Sequence, residues 1–404
     1  MSERTAVPRY KPYSGPALFR QGFRPFFLAA GLWAVLAVPL WLLMFQGTLE
    51  LPGAHGAVAW HAHEMIFGFA TAVIAGFLLT AVPNWTGRLP LQGLPLVALF
   101  AVWLLGRAAV AASDAIGAMP AAVVDLAFLV TLLAVVLREI VAGRNWRNLP
   151  MVLALALLIT ANGLTHFGAA FFSDGGAMGE RLGIATIVLL ICLVGGRIIP
   201  SFTRNWLAKR GASALPAAFG GFDRLTLLIT LAGLAAWVTA ETHSVTGALL
   251  LAAGALNLAR LARWQGRQTG SEPLVWSLHL GFLWVPLGLL LLGLGIFLPD
   301  RLPATAGLHA LTVGAIGSMT LAVMTRATLG HAARRLAADR NTTAIYLAIA
   351  AAAALRVATS MTVDAYLPLL WSSAVLWMVA FGLFAVCYGR IHLSSPAGKP
   401  SPGS

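Results

Sequence analysis

Charged residues are scarce in this 404-residue chain: only 10% of the residues are Asp, Glu, Lys or Arg, whereas 59% are hydrophobic. Water-soluble domains carry roughly a quarter of charged residues, so this composition excludes an ordinary soluble globular fold. Cysteine is scarcer still, because the chain has only Cys192 and Cys387, and both lie in apolar stretches. This excludes a disulfide framework, a two-cysteine copper site and a C-x-x-C-H haem attachment.

Apolar segments of about twenty residues recur along the whole chain, and each can cross a hydrocarbon layer of ~30 Å as a helix. The segments lie at 26–45, 63–83, 95–112, 121–141, 149–172, 182–200, 222–240, 245–264, 274–298, 305–325, 343–362 and 366–389. The sequence therefore predicts an all-α, polytopic membrane protein of about twelve transmembrane helices. We divide it into a cytoplasmic N-terminal segment at 1–25, a single membrane domain at 26–390 and a disordered, Pro/Gly/Ser-rich cytoplasmic tail at 391–404.

The net charge of +13 reflects topology, because its distribution along the chain is uneven. If the N-terminus is cytoplasmic, most Lys and Arg residues fall on the cytoplasmic side. The opposite loops carry Glu50, Asp114, Asp174, Glu180, Glu241, Asp300 and Asp364, with only Arg181 and Arg301 as cations. This positive-inside bias predicts cytoplasmic N- and C-termini, with the bilayer and no nucleic acid as a partner. The first segment is too long for a cleaved signal peptide and lacks a cleavage site.

An internal similarity relates the second and sixth predicted spans. The stretch "GFATAV" at 68–73 resembles "GIATIV" at 183–188, and each is followed by a proline and then by Asn-Trp. The tenth span also begins near a histidine. This pattern is compatible with three repeated four-helix units, and chance similarity among Gly- and Ala-rich helices is the alternative.

Ionisable residues cluster near the predicted outer ends of several spans. They are His61, His63, Glu64, Arg107, Asp125, His166, His309 and Arg356. Each such residue costs roughly 2.5–3.5 kcal/mol on membrane-insertion scales, and such residues usually face an interior site with a partner. Their accumulation at one side indicates a functional site.

Histidine is the commonest protein ligand for haem iron, copper and zinc, so this cluster favours metal chemistry. On a helix His61 and His63 point about 200° apart, so they are expected to serve two centres unless the helix begins between them. Glu64 lies at i+3 from His61, where it would orient the His61 ring or bind metal itself. Arg107 and Arg356 would suit haem propionates.

Structural interpretations compete with these roles. In these alternatives, His61 is an ordinary residue at the membrane interface, and Arg107 and Asp125 form a structural ion pair between helices. His279, near the other end of the ninth span, fits a structural or a functional role equally. The remaining histidines are expected to be solvated in loops or in the tail: His55, His243, His331 and His392.

Three stretches resemble the NnrS family of bacterial twelve-span membrane proteins. They are "QGFRPFFLAAG" at 21–31, "WHAHEMIFGF" at 60–69 and "GFLLTAVPNWTG" at 76–87, together with the histidine-bearing fifth and tenth spans. The resemblance implies a bacterial inner-membrane protein that contains copper and haem, which we expect to be b-type. It also implies a role in denitrifying metabolism and the response to nitric oxide, with nitric oxide or another small diatomic gas as the ligand. It marks His61, His63 and Glu64 as motif positions.

We assign His63, His309, Arg107 and Arg356 to haem binding, and Glu64 to proton transfer during catalysis. The metal-ligand candidates are His61, His63, His166 and His309. The chain lacks an adjacent His-His pair and a His-x-x-x-Tyr motif, which argues against a proton-pumping haem–copper oxidase. Oxidoreductase activity on nitric oxide stays open. The alternatives are a secondary transporter of a small solute or metal, or a non-catalytic membrane stress-protection factor.

Overall fold

The computed structural model describes residues 13–51, 53, 56–170 and 175–394, and every regular element in those ranges is a helix. Twelve of the described helices are long and apolar enough to cross a membrane. They are α1 Phe23–Phe45, α2 Ala57–Thr86, α3 Leu94–Ala111, α4 Ala118–Ala142, α5 Trp146–Phe167, α6 Gly175–Ala208, α7 Gly221–Thr239, α8 Ser244–Ala262, α9 Pro273–Phe297, α10 Ala304–His331, α11 Arg340–Thr359 and α12 Tyr366–Leu393. The predicted all-α, multi-pass architecture of twelve helices is confirmed.

Large apolar side chains cover the outside of this bundle. Leu105, Leu153, Leu228, Leu347 and Val386 lie on five different helices, and each is more than half exposed. A water-soluble monomer rarely exposes contiguous apolar surface on this scale, so these side chains are suited to contact with lipid tails.

Three helices form the centre of the bundle. α2, α6 and α10 contact one another. Their apolar segments are 72%, 61% and 67% buried, against 33–56% for the other nine described spans. α2, α6 and α10 are spaced four helices apart in the chain, which is the spacing that a repeated unit of four helices would give. The repetition of that unit stays a prediction.

Each central helix also contains a π-helical segment: Glu64–Ala70 in α2, Ile191–Gly195 in α6 and Ala310–Gly317 in α10. A π-helical turn disturbs the regular α-helical hydrogen bonds, and such turns occur frequently at functional sites. In α2 the carbonyl of Gly68 accepts a hydrogen bond from Trp103 Nε1 at 3.0 Å. In α6 the carbonyl of Cys192 accepts from Arg260 Nη1 at 3.0 Å. The wide turns therefore tie the central helices to their neighbours.

The first and last helices are joined by a buried arginine. Arg24 of α1 is 1% exposed, and its Nη1 donates to the carbonyls of Ile391, His392 and Ser394 at 3.2, 3.1 and 2.8 Å. The last carbonyls of a helix have no partner within the helix, so this guanidinium caps α12. With this cap α12 continues to Leu393, beyond residue 390, where the sequence predicted the end of the membrane domain. Residues 391–394 belong to the fold, and 395–404 of the predicted tail lie outside the described residues.

The expectation of solvated histidines is wrong for His392, which is fully buried, with its Nε2 2.9 Å from Thr328 Oγ1. It fails because α12 is longer than the apolar window that predicted it. His331 ends α10 and is partly buried rather than solvated. His243 is exposed as expected, and His55 lies outside the described residues.

Close helix packing generates a first prediction at Gly76, where α2 crosses α1. A Cβ atom there would lie 2.6 Å from two ring carbons of Phe27 and 3.3 Å from the Cα of Phe23. We expect Gly76→Val to lower the free energy of unfolding by about 1–3 kcal/mol, because overpacking forces the two helices apart. Thermal denaturation of the detergent-purified protein measures this.

The matched control is Gly163→Val in α5, since a Cβ at Gly163 would meet no atom within 4 Å. Equal thermal midpoints for the two variants would contradict the packing described for α1 and α2.

Candidate functional site

Six polar side chains from α2, α3, α4 and α5 form a buried group that we name the polar cluster. Its members are His63, Glu64, Arg107, Asp125, Asn162 and His166. Arg107 is 5% exposed, and the His166 side chain is 4% exposed. The other four are at most 1% exposed. So many buried polar groups are stable only when they satisfy one another.

Asp125 is the common partner in the polar cluster. Its Oδ2 atom lies 3.1 Å from His63 Nε2 and 3.1 Å from His166 Nε2, and it accepts from Asn162 Nδ2 at 2.8 Å. Its Oδ1 atom accepts a hydrogen bond from Arg107 Nη2. The expected ion pair between Arg107 and Asp125 is therefore present. A Cβ at Gly106 would lie 3.2 Å from Oδ1, so the glycine lets α3 approach this carboxylate.

Both ring nitrogens of His63 face hydrogen-bond acceptors. Nδ1 lies 3.1 Å from Glu64 Oε1, and Nε2 lies 3.0 Å from Asn162 Oδ1 as well as 3.1 Å from Asp125 Oδ2. A neutral imidazole has one N–H, so its other nitrogen would direct a lone pair at an oxygen lone pair. A second proton or a metal ion at this nitrogen would remove that repulsion.

Glu64 lies with His63 and not, as expected, with His61. Its Oε1 accepts from Arg107 Nη1 at 2.8 Å, while its Oε2 is buried without a hydrogen-bond partner among the described residues. The backbone is still α-helical up to Glu64, since the Glu64 N–H donates to the carbonyl of Trp60. It is therefore the ion pair with Arg107 that holds the carboxylate beside His63. Gly68 makes room for this pair, because a Cβ there would lie 2.6 Å from Oε2.

The charges of the polar cluster do not balance when the imidazoles are neutral. Glu64 and Asp125 contribute two negative charges and Arg107 one positive charge, which leaves a net negative charge away from water. An uncompensated buried charge is strongly destabilising. The ligand atoms of His63, Asp125 and His166 all lie within 4.8 Å of one another, so one metal ion could contact all three. The cluster is therefore suited to a cation.

A second site, which we name the outer cavity, lies beside the polar cluster, on the other side of α2. It has a volume of about 300 Å³, and its lining includes His61, His309 and Arg356 among mostly apolar side chains. Arg356 is close enough to interact electrostatically with both imidazoles. His61 and His63 thus face separate sites, as their separation around the helix predicted.

The two imidazoles of the outer cavity are held differently. His309 Nδ1 lies 2.7 Å from the carbonyl of Thr305, so Nδ1 carries the proton and Nε2 keeps its lone pair. The His61 ring stacks on Trp41 with ring centroids 4.1 Å apart, and its Nδ1 is buried without a hydrogen-bond partner among the described residues. Each ring has a nitrogen suited to metal coordination.

The structure groups the predicted site residues differently from the sequence assignment. His61, not His63, shares a cavity with His309, and His63 lies with His166. Arg107 binds Glu64 and Asp125, whereas Arg356 lines the outer cavity. Asn162, Trp41 and the linking role of Asp125 were not foreseen. Asn162 carried a usable signal, because a buried amide in a lipid-spanning segment needs partners.

His279 lies apart from both sites. It is 8% exposed, and its Nε2 is 2.8 Å from Thr203 Oγ1. A Cβ at Gly266 would lie 2.6 Å from its Nδ1, so the ring packs tightly against this loop. These contacts favour the structural interpretation of His279.

A protein-family model described as NnrS protein matches residues 17–395, nearly the whole chain. The chain belongs to the NnrS family. Membership supports a membrane protein of the nitric oxide response, and it confirms the resemblance of the three sequence stretches. No curated protein and no solved structure matches this NnrS protein.

A second prediction concerns the stability of the polar cluster, whose hydrogen bonds converge on Asp125. Asp125→Ala would leave Arg107, His63 and His166 without their shared acceptor. We expect a loss of about 3–5 kcal/mol in the free energy of unfolding, the usual cost of breaking a buried ion pair. Asp125→Asn should lose less, because its amide oxygen still accepts hydrogen bonds.

Thermal denaturation in detergent checks this, with Asp300→Ala in an exposed turn as the control. If Asp125→Ala melts at the same temperature as Asp300→Ala, the polar cluster does not stabilise the fold.

Proposed function

We propose that this NnrS protein holds a haem in the outer cavity and a copper ion in the polar cluster, and that it binds or converts nitric oxide at these sites. The observation that carries the proposal is the division of His61 and His63 between two adjacent imidazole-bearing sites. Denitrification, a location in the bacterial inner membrane and an outward-facing site belong to the same proposal.

The residues of the outer cavity fit a haem. Its apolar walls suit a macrocycle, the imidazoles of His61 and His309 suit iron, and the Arg356 guanidinium suits a propionate carboxylate. Neither Cys192 nor Cys387 lines this cavity, so a non-covalently held b-type haem is the form proposed. A bound haem would supply an iron centre with affinity for diatomic gases.

The residues of the polar cluster fit a copper ion. His63 and His166 offer imidazole nitrogens and Asp125 a carboxylate oxygen, and imidazole is a preferred copper ligand. A cation there would also neutralise the excess negative charge of Glu64 and Asp125. Arg107, which contacts both carboxylates, would hold them in position.

Glu64 is proposed as the group that transfers a proton. Its Oε2 has no hydrogen-bond partner among the described residues, so this oxygen can accept or release a proton without breaking a bond. Its Oε1 is held by Arg107 and His63, which fixes the orientation of the carboxylate. Glu64 would thus serve as a general acid for a product of nitric oxide that an electron donor outside this chain has reduced.

The two assignments predict a crossed pattern of cofactor loss. His61→Ala and His309→Ala should each lose most of the bound haem while copper is retained. His63→Ala and His166→Ala should each lose most of the copper while haem is retained. Each histidine would contribute a principal bond to the metal in its own site, so removing that histidine should lower the content of that metal and leave the other site occupied. The Soret absorbance and elemental analysis of purified variants measure both contents.

The control is His243→Asn, because His243 is exposed and caps α8, and asparagine keeps the cap. Wild-type protein without haem and copper after expression in supplemented cells would overturn the proposal. Losses that do not follow the two groups of histidines would overturn the division between the sites.

A further inference from the structure

A larger cavity lies at the end of the bundle opposite the polar cluster, and we name it the arginine cavity. Its volume is about 430 Å³. It lies where α2 ends at Asn84 and Trp85, whereas His63 lies where α2 begins. The arginine cavity is therefore distinct from the polar cluster and from the outer cavity, and its ligand can be inferred without reference to haem or copper.

Three arginines from different helices line this cavity: Arg147 at the start of α5, Arg197 in α6 and Arg326 in α10. No Asp or Glu is among its described lining residues. Arg147 and Arg197 are exposed and form no ion pair with a described residue. The cavity thus concentrates positive charge that no carboxylate in its lining neutralises.

Arg326 is held in place inside the cavity. Its guanidinium carbon lies 3.9 Å from the centroid of the Phe202 ring, and its Nη1 is 3.5 Å from the carbonyl of Leu274. Glu272 interacts with it electrostatically but does not line the cavity. Stacking on an aromatic ring orients the guanidinium plane and leaves its N–H groups available for an oxyanion.

The arginine cavity continues inward into a second, apolar cavity of about 100 Å³ among α2, α5, α6 and α10. The two cavities share five lining residues: Phe77, Met151, Val194, Ile198 and Val323. Thr320 is the one polar side chain among the described residues that line the apolar cavity. Its hydroxyl is already used, because it donates to the carbonyl of Gly317 at 2.9 Å. A charged head and an apolar chain could therefore be bound side by side.

We propose that the arginine cavity binds an amphiphilic phosphate, with its head on Arg147, Arg197 and Arg326 and its apolar chain in the adjoining apolar cavity. A phosphate monoester carries about −1.5 to −2 charges, which matches three arginines better than a single carboxylate does. Its oxygens also accept paired N–H groups from a guanidinium. The small volume of the apolar cavity favours a single short chain. Either a lysophospholipid or a water-soluble phosphate could supply the head.

Binding to the full-length protein in a neutral detergent tests this. The probes are octanoyl lysophosphatidic acid, octanoyl lysophosphatidylcholine and inorganic phosphate, measured by thermophoresis. We expect saturable binding of the lysophosphatidic acid, and a rise of about tenfold in its Kd for each of Arg197→Gln and Arg326→Gln. The zwitterionic lipid should bind more weakly and should respond little to these substitutions.

Arg224→Gln is the matched control, because Arg224 is exposed at the start of α7 and does not line the cavity. If inorganic phosphate binds as tightly as the lysophosphatidic acid and responds to the same variants, the anion site stands and its source is a soluble phosphate. If Arg224→Gln weakens binding as much as Arg197→Gln does, only diffuse charge attracts the probe and the proposal fails. Failure of haem or copper to bind would leave this result unaffected.

Discussion

The buried carboxylate of Asp125 sets the arrangement of the end of the bundle where α2 begins. Water cannot solvate a charge inside the bundle, so every donor near Asp125 must come from a neighbouring helix. His63 arrives from α2, Arg107 from α3, and Asn162 and His166 from α5. The four helices α2, α3, α4 and α5 therefore take their relative positions partly from one carboxylate and its donors.

α2 separates two chemically different environments, because His61 and His63 point to opposite sides of a regular helical turn. On one side His63 and Glu64 meet the polar cluster, where Glu64 Oε1 accepts a hydrogen bond from Arg107. On the other side of the helix His61 meets the mostly apolar outer cavity that it shares with His309. One side offers charges and acceptors that suit a hard, positively charged centre. The other offers imidazoles in apolar surroundings, which suit a macrocyclic cofactor.

Arginines at the opposite end of the bundle have different structural roles. Arg24 caps the last helix, and Arg260 binds Asp223 at 2.8 Å together with the carbonyl of Cys192. Both are 1% exposed, so both are structural. Arg197 and Arg326 instead line a cavity without a lining carboxylate. Positive-inside counting treats all four alike, although their surroundings assign them different tasks.

Composition and apolar length alone determined the class of fold, because a twenty-residue apolar segment has few stable structures other than a spanning helix. The short separation of His61 and His63 also determined that they face different sides of α2.

Only the tertiary structure decided which residue each one meets. Helical periodicity gives a direction around one helix but does not identify the helix that lies in that direction. That is why His309 is found with His61 rather than with His63. Periodicity likewise placed Glu64 near His61, whereas its hydrogen bond with Arg107 of α3 holds the carboxylate beside His63. His392 likewise meets partners far away in the sequence, because its Nε2 lies 2.9 Å from Thr328 Oγ1 and its carbonyl accepts a hydrogen bond from Arg24.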